Sequence, residues 1–445
     1  MGKLTYPEAL EFLYSQLPMF SRVGAAAYKP GLTTSLNLSR FFGDPHTQFK
    51  SIHVGGTNGK GSTSHLIASI LQSAGYKVGL YTSPHLVDFR ERIRINGKMI
   101  SEDKVVEFVE KWSESGYEGK PSFFELTMIM AFNWFAAQKV DYAVIEVGMG
   151  GRLDSTNIIT PELSVITNIS HDHNQFLGDT LEKIAAEKAG IIKAGRPVVI
   201  GETQEETAPV FVKKAEASGS PLVFADQESE SLISKEDQLG WKISFDGLKF
   251  TLPLGGDYQK KNISTVLSAI KELMKLGIRI SDEAIKDGVE KVVEQTGLAG
   301  RWMILSGKPL TIADTGHNIG GLTYNFRQLA RLMQEGRHET LRVVIGFVAD
   351  KAIDRILDIL PRDAVYYLTN ARIPRALPAE KLWEKFQQKG IDARIFPDVG
   401  AAYEEAKKEA SEKDIVFIGG STFIVADFLH YFSPCGGRDS STDCY

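Results

Sequence analysis

One segment constrains this chain more than any other: His53-Val54-Gly55-Gly56-Thr57-Asn58-Gly59-Lys60-Gly61-Ser62-Thr63. It follows a strand-like run over residues 49–54 and opens a helix-like run over residues 60–74. In that run Leu66, Ile67, Ile70, Leu71 and Ala74 recur at helical spacing. A glycine-rich turn from a strand into a helix start gathers free backbone N–H groups and a positive dipole end at one point. Lys60 adds a full charge there, and the combination suits a polyphosphate. The general P-loop has a glycine five residues before its Gly-Lys pair and Ser or Thr directly after the lysine. Here Val54 and Gly61 hold those positions. Glycines alone would favour an ordinary turn; Lys60, Ser62 and Thr63 at the helix start favour phosphate.

At 445 residues, two or three domains are expected. Hydrophobic residues at 43% and charged residues at 24% describe an ordinary globular balance. A net charge of -5 and a pI near 6.1 argue against a nucleic-acid partner. The first residues lack the apolar core of a signal peptide, and Tyr6 stands where a myristoylation signal needs Ser or Thr. No apolar run is long enough to span a bilayer, so no membrane partner is expected. Cys435 and Cys444 both fall in a small polar tail, residues 433–445, which is expected to be flexible. Two such cysteines could not staple a core of this size. A monomer in a reducing cytoplasm is the expectation.

Strand-like and helix-like runs alternate through most of the chain, predicting an α/β fold. The first part reads as a large N-terminal P-loop-type domain with a mainly parallel sheet. Its strand candidates are residues 77–82, 142–147, 163–169 and 197–201, with helices over 101–112, 123–138 and 180–190 between them. From about 222 to 253 the pattern shifts to short alternations, and 241–245 and 248–252 suggest antiparallel strands. Helices follow over 262–276 and 281–294. Thr296-Gly297-Leu298-Ala299-Gly300 is the expected linker. It separates a domain over 1–295 from a smaller, Rossmann-like α/β domain over 301–432. There strands are expected over 310–313, 341–346, 364–369, 394–396 and 414–419, with helices over 322–335, 378–389, 401–411 and 422–432.

Three segments after the glycine loop carry chemistry. Glu146 interrupts an apolar strand just before Gly148-Met149-Gly150-Gly151, a place where open parallel sheets collect ligands. A carboxylate there suits Mg²⁺ shared with phosphates, the alternative being a capping or salt-bridged glutamate. His171-Asp172-His173 ends another apolar strand and suits metal binding, proton transfer or a hydrogen-bonded turn. Lys188, fifteen residues beyond His173, reads by itself as an ordinary helix lysine.

The variant loop Gly56-Thr57-Asn58-Gly59-Lys60-Gly61-Ser62 resembles that of the folylpolyglutamate and dihydrofolate synthases, relatives of the Mur peptide ligases. Matching motifs in the same order extend over almost the whole chain. The resemblance implies that Thr57, Asn58, Gly59, Lys60, Gly61 and Ser62 bind ATP, with Asn262, Arg301 and Asp314. It implies two Mg²⁺ sites, with Ser83 of Thr82-Ser83-Pro84-His85 joining Glu146 and His173 as metal ligands. It makes Lys188 a lysine carbamylated by CO₂, a reaction that needs a neutral amine, favoured by desolvation and nearby cations. Glu91-Arg92-Ile93-Arg94-Ile95-Asn96-Gly97 matches the segment after Ser83. Ser122, Phe123, Phe124 and Glu125, with Leu153, Asp154 and Ser155, correspond to pterin contacts. An aromatic pair suits stacking on a flat ring, although helix-core packing accounts equally for one of the two. Gly256 to Asn262 matches a Gly-x-His-Gln-x-x-Asn motif with Tyr258 in place of the histidine. Asp314-Thr315-Gly316-His317-Asn318 matches an ATP-facing motif, and His317 with Ser421 corresponds to glutamate contacts. Asp350-Lys351 matches a longer motif cut short by Ala352.

The implied activity is an ATP-dependent amide ligase joining L-glutamate to dihydropteroate or to tetrahydrofolate glutamates, with Lys60, His173, Lys188 and His317 in catalytic roles. Its partners are then small molecules alone: ATP, glutamate and the folate-type acceptor. A Mur-type ligase of peptidoglycan precursors would usually carry a further domain before the loop. A P-loop NTPase or phosphotransferase leaves His317 and Ser421 unexplained.

Overall fold

Short β-branched runs bounded by glycine turns become strands in the computed structural model, which describes residues 4–17, 31–228, 232–235 and 240–432. The first eight are β1 (Lys50–Gly55), β2 (Val78–Tyr81), β3 (Ile93–Ile95), β4 (Lys98–Met99), β5 (Tyr142–Glu146), β6 (Leu163–Ile166), β7 (Val198–Ile200) and β8 (Leu222–Phe224). They form one sheet in the order β4-β3-β2-β5-β1-β6-β7-β8. Every pairing from β2 to β8 is parallel, whereas β3 and β4 make an antiparallel edge. The central strands are buried on both faces, which is why they read as unbroken apolar runs.

The edge hairpin β3–β4 was not anticipated, yet its turn is Asn96-Gly97, both at positive φ, a standard two-residue hairpin signal. Helices Tyr6–Gln16, Thr33–Phe41 and Ala208–Ser218 were likewise missed. The first of them starts with a capping box between Thr5 and Glu8 that the sequence displays.

Helix Lys60–Ser73, which follows β1, is buried on almost every side. It packs among the sheet and helices Gln259–Lys275 and Asp282–Glu290. Gly288 permits one of these crossings, because a Cβ there would collide with the Ile70 backbone. The single helix expected over 281–294 is two helices, Asp282–Glu290 and Val292–Thr296, broken at Lys291. Strands β9 (Leu232–Lys235), β10 (Trp241–Phe245) and β11 (Leu248–Leu252) form a small antiparallel sheet, turning at Asp246-Gly247. β8, from the same stretch of sequence, instead extends the main parallel sheet.

Internal contacts divide the chain between Leu298 and Ala299, and the short segment Leu86–Phe89 belongs to the second unit. That unit holds β12 (Met303–Gly307), β13 (Leu310–Ala313), β14 (Leu341–Ile345), β15 (Val365–Leu368), β16 (Ala393–Ile395) and β17 (Ile415–Gly419). Their order is β12-β13-β17-β14-β15-β16, all parallel except the antiparallel edge β12, another element not anticipated. Leu86 and Val87 pack against its apolar cluster around Val416, Ile418 and Phe428. Among the described residues no helix is long and apolar enough to cross a membrane. The tail 433–445, with both cysteines, lies outside the described residues.

Candidate active site

In the first unit, β2, β5, β1 and β6 lie side by side and end at the same edge of the sheet. Ser83 follows β2, Glu146 closes β5, loop 56–59 follows β1, and Thr167 follows β6. Ligands gather outside such strand ends because the loops there converge on one crevice.

The glycine loop has two parts with different duties. Its first part is laced to the loop after β6. The Thr57 N–H donates to the Asn168 carbonyl at 2.9 Å and the Asn58 N–H to Asn168 Oδ1 at 3.0 Å. Asn168 Nδ2 donates back to the Asn58 carbonyl at 3.1 Å. Thr57 Oγ1 accepts from the Ser170 N–H at 3.0 Å. Asn168 and Ser170 as loop clamps escaped the sequence reading, although both stand just before the His171-Asp172-His173 cluster. Thr57 and Asn58 therefore hold the loop's shape through the very amides expected to meet phosphate. The second part is open. Gly59 caps helix Lys60–Ser73 without a side-chain hydrogen bond. The N–H groups of Lys60, Gly61 and Ser62 are thus left without intrahelical partners, an anion-binding arrangement.

Two of the loop's glycines admit no other residue. Gly56 has φ +131, and a Cβ would collide with Thr167; Gly59 has φ +85, and a Cβ would collide with Asn262 Oδ1. Asn262 thus lies against the loop. Its Nδ2 donates to Gln259 Oε1 at 2.8 Å, and Gln259 Nε2 donates to Ser62 Oγ at 3.1 Å. Ser62 Oγ is consequently a buried structural acceptor, tied to the motif at 256–262, and Tyr258 stands at the entry to that helix.

Two lysines converge on one carbonyl. Lys60 Nζ donates to Gly56 O at 3.2 Å and to Thr57 O at 3.1 Å, and Lys188 Nζ donates to the same Gly56 O at 2.8 Å. Lys188 ends helix Leu181–Ala189 and is only 4% exposed. Burial, reinforced by the Lys60 charge, pulls its pKa down to about 7. The expectation of an ordinary solvated lysine fails there.

Glu146 is buried, and its Oε2 accepts the Ser83 N–H at 3.0 Å. His173 has left-handed backbone, φ 52, at the start of helix Asn174–Leu177, and its N–H donates to Asp172 Oδ1 at 2.9 Å. Among the described residues no three His, Cys, Asp or Glu side chains cluster as a metal cage. The structure therefore joins Ser83 with Glu146 but builds no closed site around His173. An oxygen-rich, incomplete donor set fits Mg²⁺, which keeps waters and shares phosphates, and does not fit a structural zinc.

Ser122 and Glu125 form the capping box of helix Phe123–Ala137: the Ser122 N–H and Oγ–H donate to Glu125 Oε2 at 2.8 and 2.9 Å, and Ser35 donates to Oε1 at 3.2 Å. Phe123 is buried, whereas Phe124 is half-buried and lies over Gly148. Asp154 turns inward, accepting from the N–H groups of Met149 at 2.8 Å and Thr156 at 3.0 Å. Thr156 Oγ1 also donates to Asp154 and faces His53 Nε2 at 2.9 Å, so His53 acts as the donor. Glu125 and Asp154, expected as ring contacts, are thus engaged in holding a helix start and a loop. Leu153 and Ser155 flank Asp154 and are half-buried. His53, a β1 residue beside the glycine loop, was not singled out; burial takes its pKa down to about 3 and keeps it neutral.

In the second unit, Asp314 follows β13 and Ser421 follows β17, its parallel neighbour. Asp314 is buried and accepts from the Trp302 N–H, the Gly316 N–H and Asn325 Nδ2, each at 2.7 Å. Arg301 donates to Gly300 O at 3.1 Å and to Thr315 Oγ1. His317 Nδ1 lies 3.0 Å from the Thr315 carbonyl, and Ser421 Oγ accepts the Phe423 N–H at 3.2 Å. His317 and Ser421 thus leave adjacent strand ends, and Asp314 braces the loop that carries His317.

Residues 54–270 match the Mur ligase middle domain, and residues 300–422 match the Mur ligase glutamate ligase domain. With an open glycine loop and a buried lysine over it, this defines an ATP-dependent ligase of the Mur type. Among curated relatives, the dihydrofolate synthase/folylpolyglutamate synthase of Bacillus subtilis is 36% identical, over 90% of this chain and 94% of its own. That of Escherichia coli is 34% identical, over 84% and 85%. The solved E. coli FolC in complex with DHPP and ADP superposes with a TM-score of 0.83 at 30% identity, covering 98% of this chain and 99% of that one. The Yersinia pestis bifunctional enzyme complexed with AMPPNP and Mn ion gives 0.81 at 30% identity, covering 96% and 98%. The chain belongs to the dihydrofolate synthase/folylpolyglutamate synthase family.

Proposed function

We propose that this enzyme joins L-glutamate by an amide bond to dihydropteroate, to tetrahydrofolate (poly)glutamates, or to both, with ATP converted to ADP and phosphate. The observation that carries the reading is the pair Lys60 and Lys188 on the Gly56 carbonyl, beside helix-start amides left open for phosphate.

ATP phosphates sit at the N–H groups of Lys60, Gly61 and Ser62, with the Lys60 ammonium in reach. Asn262 and Gln259 hold that helix start in register. Ser83, Glu146 and His173 would hold the divalent metal, two ions on the fullest version of this reading. When bound, the metal neutralises phosphate charge. An acceptor carboxylate oxygen attacks the γ-phosphorus and ADP leaves, giving an acyl phosphate. The glutamate amine then attacks the acyl carbon, loses a proton and expels phosphate. The chain's own task is mainly to position reactants and exclude water.

Lys188 meets the chemical requirement for a carbamate: with its pKa lowered to about 7, a large share of the buried amine is neutral at pH 7. CO₂ adds to that amine, a proton leaves, and a carboxylate stands on the lysine stem. Phe124, half-buried over Gly148, is the ring that would stack on a pterin, whereas Phe123 is buried. Ser122 and Glu125 shape that helix start, and Leu153, Asp154 and Ser155 shape the facing loop. Residues 1–295 would carry ATP and the acceptor. Residues 301–432 would bring glutamate through His317 and Ser421 and meet ATP through Arg301 and Asp314. The metabolite substrates imply a cytoplasmic enzyme.

The test is ADP release by purified protein with ATP, Mg²⁺ and glutamate. Release should require dihydropteroate or a reduced folate. Release without acceptor would instead indicate an NTPase, and response to a muramyl substrate alone a peptidoglycan ligase.

A further inference from the structure

Among the described residues, Arg92 is a buried cation with no carboxylate at ion-pair distance. It is 7% exposed, its Nε donates to His85 Nδ1 at 2.7 Å, and its guanidinium lies 5.2 Å from the centre of the Phe123 ring. His85 accepts on Nδ1, and an imidazole supplies no negative counter-charge. Among the described residues no carboxylate stands within ion-pair distance of Arg92 and nothing accepts from either Nη. Neither Nη is among the sealed polar atoms, so the tip of the fork keeps an opening. Glu146 and Glu91 act on it only from farther away, and burial lowers its pKa. The hydroxyl of neighbouring Tyr81 is also buried without a partner. Three other arginines are paired with carboxylates: Arg342 with Asp414 at 2.9 Å, Arg196 with Glu162 at 2.9 Å, Arg152 with Glu187 at 2.8 Å.

A buried guanidinium without a counter-ion is costly, and a fold that retains one gains from an anion that arrives later. The surroundings say which. Phe123, under the guanidinium, adjoins Phe124 over Gly148, and Glu146 ends the strand beside Tyr81.

We propose that Arg92 is the carboxylate receptor of the acceptor subsite, its two Nη groups taking both oxygens of an acceptor carboxylate as a planar fork. This rests on the glutamate-ligase reading. Two carboxylates share that chemistry: the one to be activated, and the non-reacting α-carboxylate of a glutamyl tail. Dihydropteroate carries only the first, and tetrahydrofolate monoglutamate carries both.

The experiment compares wild type, Arg92→Met and Arg92→Lys for acceptor KM, ATP KM and Tm. Acceptor KM should rise roughly 10- to 100-fold in Arg92→Met, the size of a lost charge-assisted pair, with ATP KM within about twofold. Arg92→Lys should recover only part, since an ammonium lacks the fork. The Tm of ligand-free Arg92→Met should hold or rise, because an unpaired buried charge has gone. A rise with both acceptors assigns the reacting carboxylate; a rise with the folate alone assigns the tail. Unchanged KM for both acceptors, or a lowered Tm with ATP and acceptor KM rising together, overturns the proposal. Calorimetric binding of p-aminobenzoyl-glutamate keeps the two readings separable. If wild type turns over neither acceptor, the ligase reading falls. Arg92 then stands only if wild type binds this probe and Arg92→Met does not.

Discussion

At Lys188 a sequence shows one lysine among many, and the fold decides its chemistry. The helix that ends there buries the side chain and sets its Nζ on the Gly56 carbonyl, beside a second ammonium. Desolvation and Lys60 both favour the neutral amine, and the pKa falls to about 7. CO₂ reacts only with the neutral form, so carbamate occupancy should fall as the pH drops below about 7. Lys188→Ala should lower kcat by about 100-fold or more. Wild-type activity should drop in CO₂-depleted buffer and return with bicarbonate. Steady-state rates with and without bicarbonate check both, and full activity in Lys188→Ala would remove the carbamate. His53 and Arg92 were passed over for the same reason that Lys188 looked plain. What distinguishes each of them is burial of a titratable or charged group, and a sequence does not print that.

The parallel strands and their helices were legible because buried elements leave long apolar runs at the right period. What escaped is short or peripheral. β4 and β12 are edge strands and β3 lies next to the edge; at five residues or fewer they are too short to show a period, and the turn is the stronger signal. Asn96-Gly97 was such a signal. Helix Lys60–Ser73 was legible in place but not in burial: an apolar stripe was expected, yet Ser62, Thr63, Ser64 and Ser69 are also buried. Small residues let other helices approach on the remaining faces. Gly288 serves that approach from helix Asp282–Glu290. Gly288→Ala should overpack the crossing at Ile70 and cost about 1–3 kcal/mol, lowering Tm by a few degrees. A thermal melt checks it, and an unchanged Tm would show the crossing can relax.

For the whole molecule, the ligase reading joins a phosphate-binding loop in one unit to His317 and Ser421 in the other. The resemblance across separated motifs carried that reading farther than any single loop could. Composition argued against a nucleic-acid or membrane partner without naming a substrate. The site residues were legible as positions, but several have duties no motif reveals: Asp154, Asp314 and Glu125 brace loops and a helix start, and Ser62 is a buried acceptor. The central claim is that an acceptor carboxylate is activated by transfer of the γ-phosphoryl group. The most direct measurement follows oxygen-18 from the acceptor carboxylate during turnover with glutamate. The account predicts one labelled oxygen in each inorganic phosphate released. Unlabelled phosphate, formed at the same rate as product, would contradict it.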